Sequence, residues 1–200
     1  MKQLFTSLAL LGFLCFSLPI EAAPVYGPII YCPITENHYQ RVDFPGESTW
    51  ESEWTASKNH AEQMSYVGVF GHMATITSQE ENWWIVDNLG GALTLDHWLG
   101  GYREAAGGWQ WITGEPWVYT NWFPGEPNSE TDNAPYALQF DDAETASPVP
   151  GYWNDISPST FEDGFIVEYE TKPVPEPSTI LLIASGLIGF AGFRRKFRNL

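Results

Sequence analysis

Glu126-Pro127-Asn128 and Trp153-Asn154-Asp155 place two acid–amide pairs on separate stretches of a 200-residue chain. Between them lies Tyr136-Ala137-Leu138-Gln139-Phe140, whose apolar/polar alternation reads as a strand. A hard cation such as calcium takes six to eight oxygens at about 2.3–2.6 Å, from carboxylates, amide and backbone carbonyls, water or a ligand's hydroxyls. Glu126, Asn128, Asn154 and Asp155 offer that donor set from two directions. The stretch 121–133 is long, lacks helix or strand periodicity and carries Pro124-Gly125 and Pro127, so it reads as an irregular ligand loop.

The elements that must position this loop can be read in chain order. Residues 37–44 alternate as a first strand that Pro45-Gly46 ends. Trp50, Trp54, Ser57, Ala61 and Met64 recur at steps of three and four, the apolar stripe of a first helix. Residues 73–77 read as a short strand, and Ser78 with Glu81 three residues on predicts a capped second helix to about Asn88. Trp84, Ile85 and Leu89 fall on its inner side, and Gly90-Gly91 stops it. Trp98-Leu99-Gly100-Gly101 reads as a buried central strand whose glycines permit close backbone approach. Trp98, Trp109 and Trp111 are assigned to the core; Trp117 and Trp122, nearer the loop, are the better candidates for stacking a sugar, though core placement is favoured for them too.

Three motifs in order resemble one family. Glu126-Pro127-Asn128 with Trp153-Asn154-Asp155 is similar to the second calcium site of C-type lectin-like domains. Trp98-Leu99-Gly100-Gly101 resembles that family's central Trp-Ile-Gly-Leu signature, and residues 71–82 resemble its strand and second-helix opening. The similarity covers roughly 38–170. It implies an α+β, C-type lectin-like fold, two helices packed on a mostly antiparallel sheet with a long irregular ligand loop. It also implies a Ca2+ ion at this site, a Glu126–Pro127 peptide that is cis when metal is bound, and recognition of mannose- or glucose-type saccharides. Glu126, Asn128, Asn154 and Asp155 then touch both metal and sugar. Where the family supplies one more Glu, this chain has Ala134; Asp132 is expected to stand in as a metal ligand, giving a weak site filled at extracellular calcium levels. The alternative is a structural or protein-binding matrix module of the same fold with neither calcium nor sugar.

Charge narrows the partners. The formal net is −16, and five of the nine basic residues, Lys2, Arg194, Arg195, Lys196 and Arg198, lie in terminal segments expected to be removed. Such a field repels nucleic acid and anionic surfaces and attracts cations, so nucleic-acid binding is set aside. No enzyme is expected: Asp141 and Asp142 are adjacent on a strand end and point apart, and with Glu144 read as a solvated acidic turn. His38, His60, His72 and His97 show no metal-ligand spacing and read as strand, helix or loop residues.

Residues 1–23 read as a signal peptide, with Lys2, an apolar run and cleavage near Ala22 or Ala23. A mature N-terminal segment, 24–37, precedes the domain at 38–170. Cys15 lies in the signal, so Cys32 is the one exported cysteine and no internal disulfide forms. By the resemblance, the family's cysteine positions fall at Ala61, Tyr136, Pro158 and Val167. Cys32 reads as a half-buried small hydrophobe, with an intermolecular disulfide as the alternative. A Pro-rich linker, 171–178, leads into an apolar run at 179–193 that reads as a short transmembrane helix and a basic cytoplasmic tail at 194–200. At 1.5 Å per residue that run spans about 22 Å, short of the ~30 Å hydrocarbon core, and inserts if basic flanks snorkel and the bilayer thins. Pro175-Glu176-Pro177, the run and the basic end together resemble the PEP-CTERM sorting signal of Gram-negative bacteria. That implies an exosortase partner that reads the motif. The protein is transiently held in the inner membrane, then passed to the cell surface or extracellular polymer. A plain C-terminal anchor is the alternative.

Overall fold

A computed structural model describes residues 23–45, 52–89, 96–105, 107–128, 134–141 and 151–171. In chain order these form β1 (Val25–Tyr26), β2 (Ile30–Tyr31), β3 (His38–Asp43), α1 (Trp54–Gln63), β4 (Ser65–Tyr66), β5 (Val69–Phe70), β6 (His72–Met73) and α2 (Gln79–Asn88). The second half is strand only: β7 (His97–Arg103), β8 (Trp109–Trp111), β9 (Tyr136–Phe140), β10 (Trp153–Ile156) and β11 (Gly164–Tyr169). The expected α+β architecture is present. The main sheet runs β1-β3-β11-β7-β9-β10, with β2 on β3, β6 on β11 and β8 on β7. Every ladder in it is antiparallel except β11 with β7, where Gly164 meets His97 and Phe165 meets Trp98. Pairing of Tyr169 with His38 and of Gly164 with Asp43 ties the last strand to the first.

Each helix brings its apolar side to one cluster. Trp54, Ala61 and Met73 join Trp98, Phe165, Val167 and Tyr169 around α1. Ile85, Val86 and Leu89 join Leu99, Trp111, Leu138, Phe140, Trp153 and Cys32 around α2. Full burial of side chains of this size contributes ~1.5–3 kcal/mol apiece. Cys32 is completely buried, deeper than half-way, because it faces this second cluster. Ala61 and Val167, two positions where the family carries cysteine, are both buried in the first cluster, so apolar packing between α1 and β11 takes the place of a crosslink.

The central glycines behave as expected. A Cβ on Gly100 would come 2.7 Å from the Met73 carbonyl, and one on Gly101 would come 2.7 Å from a Leu138 methyl. Ser78 caps α2 by accepting the Glu81 amide at 3.2 Å. The strand expected at 73–77 is shorter than its residues suggested, for the ladder stops at Met73. Beyond it the backbone donors of Thr75 and Thr77 go to the buried carboxylates of Glu168 and Glu81, at 3.0 and 2.8 Å, and leave no partner strand to add. Trp50 and Gly90-Gly91 lie outside the described residues.

Candidate metal and ligand site

Tryptophan 153 anchors the site. Completely buried, it donates its indole N–H to Asn82 Oδ1 at 2.8 Å, and Asn82 in turn donates to the Gly151 carbonyl at 3.1 Å. That carbonyl also accepts from Asn121 Nδ2 at 2.6 Å. The backbone then pairs the ligand loop with β10: Trp153 N donates to Asn121 O and Phe123 N to Trp153 O, both at 2.9 Å. A turn closed by Glu126 N to Phe123 O at 2.8 Å, with Gly125 at φ 107°, delivers Glu126 to the far side. The Glu126–Pro127 peptide is cis.

Glu126, Asn128 and Asp155 meet there. Asn128 N lies 3.0 Å from both Glu126 Oε2 and Asp155 Oδ1, and Asn128 Nδ2 donates to Glu126 Oε1 at 2.9 Å. Partial burial, then the Asp155 carboxylate within hydrogen-bonding reach, push the Glu126 carboxyl above its usual range against the donors of Asn128. Asp155 is 4% exposed, and its Oδ2 has no hydrogen-bond partner. A buried carboxylate oxygen left unpaired beside a second carboxylate is costly unless a cation or proton joins them. The donor set and this orphaned oxygen therefore fit a hard cation.

Asn154 is next along β10, half-buried and opposite Gln139 of β9. Burial alternates along that strand, Trp153 and Asp155 on one face and Asn154 and Ile156 on the other. Asn154 is the chain neighbour of Asp155 but takes no part in the hydrogen bonds of the Glu126–Asn128–Asp155 network among the described residues. Asp132 lies outside the described residues, as do Asp142, Glu144 and Pro175-Glu176-Pro177. No group of three or more His, Cys, Asp or Glu gathers among the described residues.

The indoles beneath are spent on packing. Trp117 sits 4.5 Å from Trp111 and stacks on Trp109 at 5.6 Å, while Trp122 lies 4.9 Å from Trp109 and 5.9 Å from Trp153. The two stacking candidates are thus half-buried members of an aromatic floor, because the loop backbone folds down onto β10. Asn82 and Asn121, which hold that floor and loop together, were not singled out from sequence. The signal was an Asn three residues ahead of Ile85, on the buried face of an otherwise apolar helix side.

The histidines serve the frame. His97 is completely buried and contacts Asp43 Oδ1 at 2.8 Å, tying β7 to β3. No helix among the described residues is long and apolar enough to cross a membrane; 179–193 lies outside them.

The chain is 33% identical over 113 residues to halomucin of Haloquadratum walsbyi, covering 56% of this chain and 1% of that protein. It is 28% identical over 134 residues to human C-type mannose receptor 2, 65% of this chain and 9% of the receptor. The chain therefore spans only a small part of these much longer relatives. Among solved structures, the C-type lectin domain of murine dendritic cell inhibitory receptor 2, in complex with N-glycan, superposes with a TM-score of 0.51 at 22% identity, covering 76% of this chain and 98% of that domain. Residues 173–196 match the PEP-CTERM protein-sorting motif, which places Pro175-Glu176-Pro177 inside a motif of export and sorting. Residues 55–160, more than half of the chain, match the C-type lectin domain, and the chain belongs to that family.

Proposed function

We propose that the domain binds mannose- or glucose-type saccharide through one weakly held Ca2+, with Glu126, Asn128, Asn154, Asp155 and Asp132 as protein ligands. The observation that carries this reading is the buried, unpartnered Oδ2 of Asp155 within reach of Glu126. Bound calcium supplies open coordination places for two vicinal hydroxyls of a pyranose. Glu126 accepts hydrogen bonds from those hydroxyls and the Asn128 amide donates to them, while Pro127 and the Trp153-anchored backbone hold the two side chains in one orientation. The N-glycan seen with the murine receptor domain and the name of the mannose receptor support the saccharide class. A single shallow contact of this sort is weak, so useful binding comes from many copies on a polymer or cell surface.

In this reading 1–23 is a signal peptide, 24–37 a mature N-terminal segment, 38–170 the lectin domain and 171–178 a Pro-rich linker. The run at 179–193 is a transient membrane anchor with 194–200 on the cytoplasmic side, and an exosortase-type enzyme reads Pro175-Glu176-Pro177 before the protein reaches the surface. Retention on immobilised mannose tests the central part. Binding in millimolar calcium that EDTA and Asn154→Ala both abolish is expected; binding that ignores both defeats the proposal. A second reading, a matrix module without calcium, draws on Ala134 and on the way Glu126 and Asn128 already satisfy one another. It predicts tryptophan fluorescence unchanged by calcium.

A further inference from the structure

The hairpin of β4 and β5 is poorly explained by the fold. Its turn puts Val67 at φ 51° and Gly68 at φ 84°, both in the left-handed region. Two such residues make the mirror-image turn that suits hairpins and favours Asn-Gly or Asp-Gly; a β-branched residue there is strained. Among the described residues nothing offsets that strain, since Val67 is 79% exposed, and the added Cβ of a residue at Gly68 would meet no atom within 4 Å. Phe70, paired with the exposed Ser65, is 71% exposed. The hairpin thus presents valine and phenylalanine to solvent from a standing tip.

Its place in the molecule says what covers it. Tyr66 of the hairpin lies 5.9 Å from Tyr169 and 4.9 Å from His38, and His38 lies 5.2 Å from Tyr31. Thr171, where the described chain ends, contacts His38 Nδ1 at 3.2 Å through its hydroxyl. The hairpin, Tyr31 and Ile34, the last two 49% and 47% exposed, therefore surround the point from which the tail leaves. Residues 172–178 reach at most about 25 Å before the apolar run begins, less than the ~35 Å width of a domain this size. Only the face around Thr171 can turn toward whatever holds that run.

We infer that the β4–β5 hairpin is a membrane-contact surface, with Val67 and Phe70 entering the interfacial region of the bilayer and Tyr31 and Ile34 at its edge. This rests on the proposal that 179–193 anchors the chain. The tether holds the tip at high effective concentration, so a contact too weak for free protein becomes occupied. Glu36, whose carbonyl accepts from the Thr171 hydroxyl, and Glu170 border the face and the chain carries a net −16, so the contact is apolar and directed at zwitterionic lipid. It ends when the tail is released, freeing the domain.

The test uses the full chain in phosphatidylcholine vesicles, with Cys15→Ser and Ser65→Cys carrying an environment-sensitive fluorophore; Cys32 is buried. In vesicle-bound protein the fluorophore emission is expected to shift to the blue and be quenched by spin-labelled lipid. Val67→Asn with Phe70→Ser should lose both effects while the protein still floats with the vesicles. Val67→Asn alone should raise Tm by about 2–4 °C, because it relieves a left-handed valine. Floating protein with an unquenched fluorophore, equal quenching in the double variant, or a fall in Tm for Val67→Asn overturns the inference. Protein that fails to float overturns the anchor and this contact together, a different result from the first three.

Discussion

At the scale of single residues, two carboxylates and an amide converge where one oxygen of Asp155 has no donor of its own. Asp155→Asn keeps the shape and removes the charge, and should abolish the calcium-induced change in tryptophan fluorescence while Tm without calcium holds or rises. Ala134→Glu restores the carboxylate that this chain lacks relative to its family and is expected to tighten calcium binding by about tenfold, ~1.4 kcal/mol; a fluorescence titration reads both. Glu126, Asn128 and Asp155 could be picked out from sequence as acid and amide oxygens on two separate stretches, and the fold brings these three together. The partners that hold them could not be. Asn82 and Asn121 act by accepting an indole N–H and by donating to a carbonyl, roles that spacing does not encode.

At the scale of elements, β10 and α2 depend on one another through Trp153. Asn82→Ala strips the buried indole N–H of its acceptor and the Gly151 carbonyl of a donor, and should lower stability by about 1–3 kcal/mol in chemical denaturation. A second junction joins β3, α2 and β11. The Tyr39 hydroxyl lies 2.6 Å from Glu81 Oε1 and 2.9 Å from Glu168 Oε1, yet has one proton to give. One of the two buried carboxyls must carry another proton for both contacts to be hydrogen bonds. Burial chiefly, opposed by His72 and aided by the Glu81 charge, pushes Glu168 up to about 7; burial likewise raises Glu81, with donors from Tyr39 and Thr77 opposing and Glu115 nearby adding to it.

The folded state thus holds this proton more tightly than the unfolded chain, whose carboxyl titrates near 4.5. The contribution to stability is complete below that value and is lost as pH rises through about 7. Tm should fall between pH 5 and 8 in the native protein. Glu81→Gln lets the amide donate to Tyr39 and Tyr39 donate to an ionised Glu168, so its Tm profile should be flatter; a profile as steep as the native one would contradict this account. Sequence placed Ser78 and Glu81 at the start of α2 correctly. It gave no hint that Glu81 would also end the strand before it, because the competing acceptors come from 93 residues away in the chain on β11 as well as from the helix itself.

For the whole molecule, the central glycines, the two helices and the strands β3, β7 and β9 followed from periodicity and motifs, whereas β1, β2, β4 and β5, two residues each, and β11, buried at every position, carry no alternation to read. Among the described residues Cys32 is free, and Ala61 packs in the same buried cluster as Val167, where the family resemblance implies cysteines. Core placement, favoured over stacking for Trp117 and Trp122, is what the fold gives them, since exposure of a loop tryptophan is decided by how the loop folds back. The sorting motif and the lectin domain agree on an exported lectin-like protein, and the acidic balance suits the calcium site proposed for it. Calorimetric titration of the purified protein with calcium tests that account most directly. Heat that saturates near millimolar Ca2+ with one ion per chain, and vanishes in Asp155→Asn, is predicted; no heat at millimolar calcium, or heat unchanged in that variant, would contradict it.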